Sequence, residues 1–336
     1  LRIRIEHATE ADDAGYLRFA RASFGASAYQ ASYRYLAWLY DHGPYSRGRG
    51  RDFWVARDEA GMIRGCIHQL RLPWSANGAE VIVPALHNTM MEPAHRGVAG
   101  GMLILQAMKG EGHVFVPGAE GAVAATLRRL RFVPVATQVR RRLLRPVAAL
   151  GAMLAERAGW QTAPVRVRET ALRAVGAIVP RSAEELAGLV ALANRGGSGE
   201  FRPHWTVEAM GWRFFHAEGP LSALWIEGDL ASPRAFAIVS IGRRRGVVLA
   251  RVLCSAAVEP EWHTRVLQQA AQGACALGAQ AIQFTSGGDP APDLPGWRAV
   301  SGAPQTLIYH RKPATGPDRF CAGAGDYGLE ALLTER

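Results

Sequence analysis

Residues 90–101 read MMEPAHRGVAGG, and how this stretch is read decides the fold. An apolar pair ends an apolar run, Glu-Pro turns the chain, and three glycines follow before the helical pattern MLILQAMKG (102–110). The first backbone N–H groups of a helix have no intrahelical partner and carry partial positive charge. Small side chains let a phosphate approach those groups closely. Two readings stay open here: an anion cradle, or a glycine-rich corner that only turns the chain.

Working outward, the preceding stretches DFWVARD, MIRGCIHQLRLPW and VIVPALHNTMM are separated by turn signals at EAG and ANG. They read as an antiparallel meander of three strands. Before them come a short strand IRIEHA, a helix ADDAGYLRFARASFG capped by Thr9, and a second helix QASYRYLAWLY closed by DHGP. After the glycines come the strand HVFVPG, the helix AVAATLRRL and a closing strand pair around FVPVATQVRRRLL. The order predicts an α/β fold, a mixed and mostly antiparallel sheet with helices on both faces.

The second half repeats the programme. AWLYDHGP (37–44) has a counterpart in GWRFFHAEGP (211–220), MEPAHRG (91–97) in VEPEWHT (258–264), and LRFVPV (130–135) in PGWRAV (295–300). Three collinear matches predict a duplicated domain. The expected division is a first domain over 1–145, a linker over 146–165, a second domain over 166–312 and a tail over 313–336.

The bulk numbers fit a globular chain. Of 336 residues, 49% are apolar and 20% charged, which suits a two-domain soluble protein. The opening IRIEHATEADD lacks a secretory pattern, and PVAALGAMLA (146–155) is too short to span a bilayer. A cytoplasmic location is expected. The net charge of +10 is carried by arginine, since Lys109 and Lys312 are the only lysines. Such a balance favours acidic small molecules, while the scatter of the arginines argues against nucleic acid. The four cysteines have no metal-type spacing, so no metal is expected.

A strand end followed by Pro-x-x-Arg-Gly and a glycine-rich helix start is the acyl-CoA signature of the GNAT superfamily of N-acetyltransferases. Met91-Glu92-Pro93-Ala94-His95-Arg96-Gly97-Val98-Ala99-Gly100-Gly101 resembles it, with Ala99 where the family usually has glycine. The resemblance covers the element order of 1–140 and, more weakly, 165–312. SYRYLAWLYDHGP (32–44) and the tail AGAGDYGLE (322–330) are similar to segments of tandem bacterial proteins that acylate sugars. The resemblance implies two tandem GNAT-like domains and an acyl-CoA, such as acetyl-CoA, as co-substrate. It also implies N-acyl transfer to a small-molecule amine, with a nucleotide-linked amino sugar as first choice. Another small amine, or an acyl-CoA-binding module without catalysis, are the alternatives.

On that reading, backbone N–H groups from Arg96 through Gly97, Val98, Ala99, Gly100 and Gly101 cradle the CoA pyrophosphate. Met90 or Met91 lines the acyl pocket, and in the family the amide at the Met91 position polarises the thioester carbonyl. Strand alternation allows only one of the two methionines onto the pocket face, and it groups His87 with Thr89 and Met91. His87 or His68 is the candidate base, each equally readable as a structural histidine, and Asn88 could orient a water or a hydroxyl. The family often draws its general acid, a tyrosine, from the helix after the fifth strand. AVAATLRRL has none, so Tyr327 of the tail is the candidate acid. Tyr40 and Asp326 are the candidate acceptor contacts, whereas Trp38 reads as core. The segment EWHTRVLQQA after Pro260 lacks glycine, so one active site per chain, in the first half, is expected.

Overall fold

The computed structural model describes residues 2–26, 28–46, 50–76, 78–119, 121–135, 137–160, 165, 167–180, 182–195, 200–220, 222–244, 246–287, 294–300, 305–310 and 319–320. The first half runs β1 (Arg4–His7), α1 (Asp13–Phe24), α2 (Tyr33–Leu36), β2 (Phe53–Arg57), β3 (Ile63–Ala76), β4 (Ala79–Met91), α3 (Val98–Ala107), β5 (His113–Ala119), α4 (Gly121–Arg129), β6 (Val133–Val135), β7 (Thr137–Leu143) and α5 (Pro146–Arg157). The second runs α6 (Glu169–Ala174), α7 (Ala183–Ala193), β8 (Glu200–Pro203), α8 (Val207–Met210), β9 (Ser222–Asp229), β10 (Ser232–Arg244), β11 (Val247–Ala257), α9 (Pro260–Ala276), β12 (Ala281–Gly287), β13 (Arg298–Ala299), β14 (Gln305–His310) and β15 (Arg319–Phe320). The predicted meander is β2–β3–β4, antiparallel throughout.

The duplication extends to local chemistry. Ser32 accepts the Tyr35 N–H at the start of α2, and Thr206 accepts the Ala209 N–H at the start of α8. Each helix then widens into a π turn, Ala37–Asp41 in the first half and Gly211–Phe215 in the second. Trp38 and Trp212, one in each turn, exchange hydrogen bonds: Trp38 Nε1 donates to the Trp212 carbonyl at 3.0 Å, and Trp212 Nε1 to the Trp38 carbonyl at 2.7 Å. Both rings are buried, so each indole N–H needs a protein acceptor, and the reciprocal pair supplies both. Trp38 is thus a core residue, bonded to its counterpart in the other half.

The two sheets trade strands. One has the order β1-β2-β3-β4-β5-β14-β6, with β8 against β3 and β15 against β8; the other is β13-β7-β12-β11-β10-β9. β14, from the second half, lies between β5 and β6, while β7, from the first, pairs with β12 and β13. The expected β6–β7 pair is therefore corrected. The two strands are joined through residue 136 yet belong to different sheets, because β14 fills the place beside β6.

Packing follows from this exchange. One cluster lies between the sheets and draws on both halves: Tyr16, Tyr35 and Trp74 from the first, Leu189, Phe214 and Phe236 from the second. A second cluster fills the outer face of the first sheet under α3 and α4, and a third the outer face of the second sheet under α9. Buried ions pin the loop into β2. Arg51 forks onto Asp13 at 2.9 and 2.7 Å and reaches Asp41 at 2.5 Å, tying α1 to the π turn that carries Tyr40. Removing one partner of such a buried pair costs about 3–5 kcal/mol, because the other charge is left uncompensated.

Candidate active site

The expected donor stretch falls on the end of β4 and the start of α3. Gly97 is the N-cap of α3 at φ 90° and ψ −117°, a conformation that only glycine adopts without strain. The Gly101 N–H already bonds the Gly97 carbonyl at 3.0 Å, and the Arg96 N–H points back to Pro93. The cradle is therefore narrower than expected: the first-turn N–H groups of Val98, Ala99 and Gly100 are those without an intrahelical acceptor. A Cβ added at Gly97, Gly100 or Gly101 would meet no protein atom within 4 Å, so the approach is open. Ala99 keeps a negative φ and contributes its N–H like its neighbours.

Beside this helix start, β4 and β5 diverge. Their parallel register holds at Ala85 opposite Phe115, and no pair is formed further toward Met91 and Ala119. Diverging parallel strands leave facing backbone groups that an extended arm can bond, as an added strand would.

A bulge then re-aims the side chains. Cys66 faces Met90 but His68 faces His87, so β4 spends one more residue than β3 over this step. The extra residue is absorbed at Asn88, whose φ of 48° is left-handed, a region asparagine tolerates. Strand alternation had grouped His87 with Thr89 and Met91. The bulge reverses this: His87 shares a face with Met90, Cys66 and His68, while Met91 packs under α3. Of the two methionines, Met90 is thus the one beside the histidines.

On that face a buried polar cluster forms. Tyr40 and His68 Nδ1 are hydrogen-bonded at 2.6 Å, and Asn88 Nδ2 donates to the Tyr35 hydroxyl at 2.6 Å. His68 stacks against Phe53 at 4.5 Å and lies 5.6 Å from His87, ring to ring. His87 is 2% exposed, yet neither of its ring nitrogens, nor Nε2 of His68, has a hydrogen-bond partner among the described residues. Burial pushes the pKa of His68 down to about 3 and holds that of His87 well below the usual range, helped there by His68 and Arg213. Both imidazoles are neutral at pH 7. Burial raises the Tyr40 and Tyr35 hydroxyls and the Cys66 thiol, so all three keep their protons. With the Tyr40 phenol donating, the ring hydrogen of His68 sits on Nε2.

Of the sequence candidates, the structure brings together His68, His87, Asn88, Met90 and Tyr40. Tyr40 sits behind His68, stacked on Phe53 at 5.7 Å and under Arg51, so its ring is no open wall for a sugar. Tyr327 and Asp326 lie outside the described residues. Tyr35 and Arg213 join the cluster unannounced. Tyr35 is inside the aromatic segment already singled out, but nothing in the sequence places Arg213, which arrives from the second half over the Trp38 ring at 5.5 Å. A separate cavity of about 1300 Å³, walled by Phe214, Ser222 and Ser240 and also by His216, includes neither His68 nor His87 and no glycine-rich helix start.

Two further properties bear on the chemistry. Among the described residues no group of three or more metal-ligating side chains could hold a metal ion, and no helix is long and apolar enough to cross a membrane.

No protein-family model matches the sequence, and no curated protein does. Solved structures do match. A GCN5-related N-acetyltransferase from Anabaena variabilis aligns with a TM-score of 0.58 at 11% identity, over 91% of this chain and 72% of its own. Saccharomyces cerevisiae N-myristoyltransferase with bound myristoyl-CoA aligns with a TM-score of 0.62 at 12% identity, over 94% of this chain and 86% of its own. A probable N-acyltransferase of unknown function from Enterococcus faecalis gives 0.53 at 9% identity, over 92% and 72%. At such identities the likeness establishes the fold: a GNAT-like architecture of two mixed sheets flanked by helices.

Proposed function

We propose that this chain is an acyl-CoA-dependent N-acyltransferase, with the donor on α3 and the β4–β5 cleft and the acceptor amine on the His68–His87 face. The observation that carries the reading is the coincidence at one strand end of an open cradle of first-turn N–H groups and a buried histidine with both nitrogens unpartnered. The fold shared with acyl-CoA-using transferases supports it, as does the bulge that turns His87 to the Met90 face just before β4 leads into α3.

In this mechanism the neutral amine attacks the thioester carbonyl, a C–N bond forms, and the C–S bond breaks as the intermediate collapses. The proton is lost from nitrogen after attack. A weakly basic imidazole suits that moment, because an ammonium attached to a tetrahedral carbon is far more acidic than the free amine. His87 takes this proton, and His68, held by Tyr40, packs its ring beside it. Asn88, fixed by Tyr35, orients the acceptor or a water. α4 carries no tyrosine, so the thiolate is protonated from elsewhere; Tyr327 of the tail is our candidate. For the acceptor we infer a small amine, with a nucleotide-linked amino sugar as first choice, since the arginine-rich chain favours a phosphorylated ligand.

The test is isothermal titration with acetyl-CoA, beside Gly101→Glu. A carboxylate placed at the phosphate cradle should weaken binding by about 100-fold or more through repulsion and lost space. Thiol release with a panel of amines then separates a transferase from a binding module. Saturable acyl-CoA binding with no thiol release for any amine would leave only the module.

A further inference from the structure

One position of the duplicated plan is filled in the first half and open in the second. In the first half β2 sets Phe53 opposite His68 of β3. The two rings stack at 4.5 Å, and Tyr40, the fourth residue of its π turn, stacks on Phe53 at 5.7 Å. In the second half β9 sets Ser222 opposite Ser240 of β10. Leu224 and Ile238, two residues along each strand, belong to the cluster between the sheets, so alternation turns both serines to that side. Phe214, the fourth residue of the second π turn, stands where Tyr40 stands in the first. Two hydroxymethyl groups thus take the places of a phenyl and an imidazole, and the cavity of about 1300 Å³ opens beside them.

Its walls are apolar, with Leu186 from α7, Val207 from α8 and Phe214 from the π turn. Close-packed interiors leave few spaces larger than a water, whereas small-molecule sites run to roughly 300–1,000 Å³. The polar groups of the lining are hydrogen-bond donors. Ser222 is 1% exposed, and its Oγ has no hydrogen-bond partner among the described residues. A buried hydroxyl in that state costs free energy that a ligand oxygen recovers. His216 accepts the Glu218 N–H at Nδ1 over 3.1 Å. Burial, and then His42, hold its pKa below the usual range, so at pH 7 it is neutral with its hydrogen on Nε2. The lining charges favour an anion. Arg168 is exposed at the rim, while the Glu169 carboxylate is engaged by Arg173 at 2.8 Å.

We propose that this cavity is a second ligand site, separate from the histidine cluster, for a largely apolar molecule ending in a carboxylate, such as a medium-chain fatty acid. Its body lies along Leu186, Val207 and Phe214, Ser222 bonds the carboxylate, and Arg168 draws the charge in from the rim. The inference does not rest on the transferase reading.

The experiment is isothermal titration of the full chain with octanoate, alone and with acetyl-CoA present, beside 1-octanol as the uncharged analogue. Ser222→Phe puts the ring of the first half into the second and should abolish binding. Ser222→Ala and Arg168→Glu should each weaken octanoate about tenfold or more, through a lost charge-assisted hydrogen bond and a reversed rim charge. Arg168 is exposed, so its variant should keep its far-ultraviolet circular dichroism and melting temperature even if Ser222→Phe does not fold. Saturable binding of one octanoate, unchanged by acetyl-CoA and tighter than that of octanol, supports the site. Any one of four results overturns it: no saturable octanoate binding, wild-type affinity in Ser222→Ala or in Arg168→Glu, octanol bound as tightly as octanoate, or displacement by acetyl-CoA, which would put octanoate in the donor cleft.

Discussion

The molecule contains two versions of one junction, a bulged strand running into a helix. In the first half β4 bulges at Asn88, diverges from β5 after Ala85 and enters α3 through Gly97. In the second, β11 takes two steps, from Cys254 to Val252, while β10 takes one, from Ile238 to Val239. It then loses its parallel pairing with β12 after Arg251 and enters α9. The backbone plan is conserved; the chemistry at the helix start is reversed. α9 begins with Glu259 at the N-cap, Pro260 at the first position and Glu261 next. Proline supplies no N–H, and two carboxylates already occupy the positive end of the helix. Where β3 and β4 set His68 opposite His87, β10 and β11 set Ser240 opposite Arg251. A scaffold that can hold a thioester site need not contain one; the side chains at a few positions decide.

The largest expected effect in breaking this asymmetry is on turnover. His87→Gln keeps a polar side chain of similar size but cannot take a proton at nitrogen, so kcat should fall by about 10²–10⁴-fold with acyl-CoA affinity retained. Ser240→Ala, at the counterpart of His68, should leave kcat unchanged; equal losses in both variants would erase the distinction between the halves.

A smaller effect appears in stability against pH. His68 and His87 are buried neutral, whereas in the unfolded chain each binds a proton below about pH 6.5. The folded pKa values are lowered, so their contribution is complete above pH 6.5 and drains away as pH falls. With its pKa pushed down to about 3, His68 alone forfeits about 2 kcal/mol between pH 7 and pH 5. Denaturant melts of His68→Gln should show a shallower loss over that range. His263 in the second half, lowered to about 4 by burial, keeps some slope in the variant.

At α9 the expected effect on donor binding is nil. Glu261→Gln removes a charge from the second helix start but restores neither glycine nor N–H, so acetyl-CoA titration should match the wild type. Stoichiometry rising toward two would show that the second junction binds donor as well.

The contrast also shows what can be read from sequence. The glycine-rich start of α3 and the glycine-free start of α9 were legible because capping is local: five or six residues settle which N–H groups are free. The meander was legible because EAG and ANG punctuate alternating strands. The bulge was not, since one extra residue in β4 leaves no mark in composition and yet moves His87 from the expected face to the other. Tyr40 read as a surface for a sugar, because its sequence neighbours cannot announce that His68 will bond it from β3.

By itself, then, the sequence determined the three-stranded meander, the order of the elements around it and the glycine-rich start of α3, all consequences of short-range backbone and side-chain preference. The tertiary structure alone decided that β7 and β14 change places, that the halves share one core across Trp38 and Trp212, and that two histidines from neighbouring strands meet with unpartnered nitrogens. Those outcomes depend on which distant surfaces exclude water together. Burial is a property of the assembled pair of sheets, and no segment carries it alone.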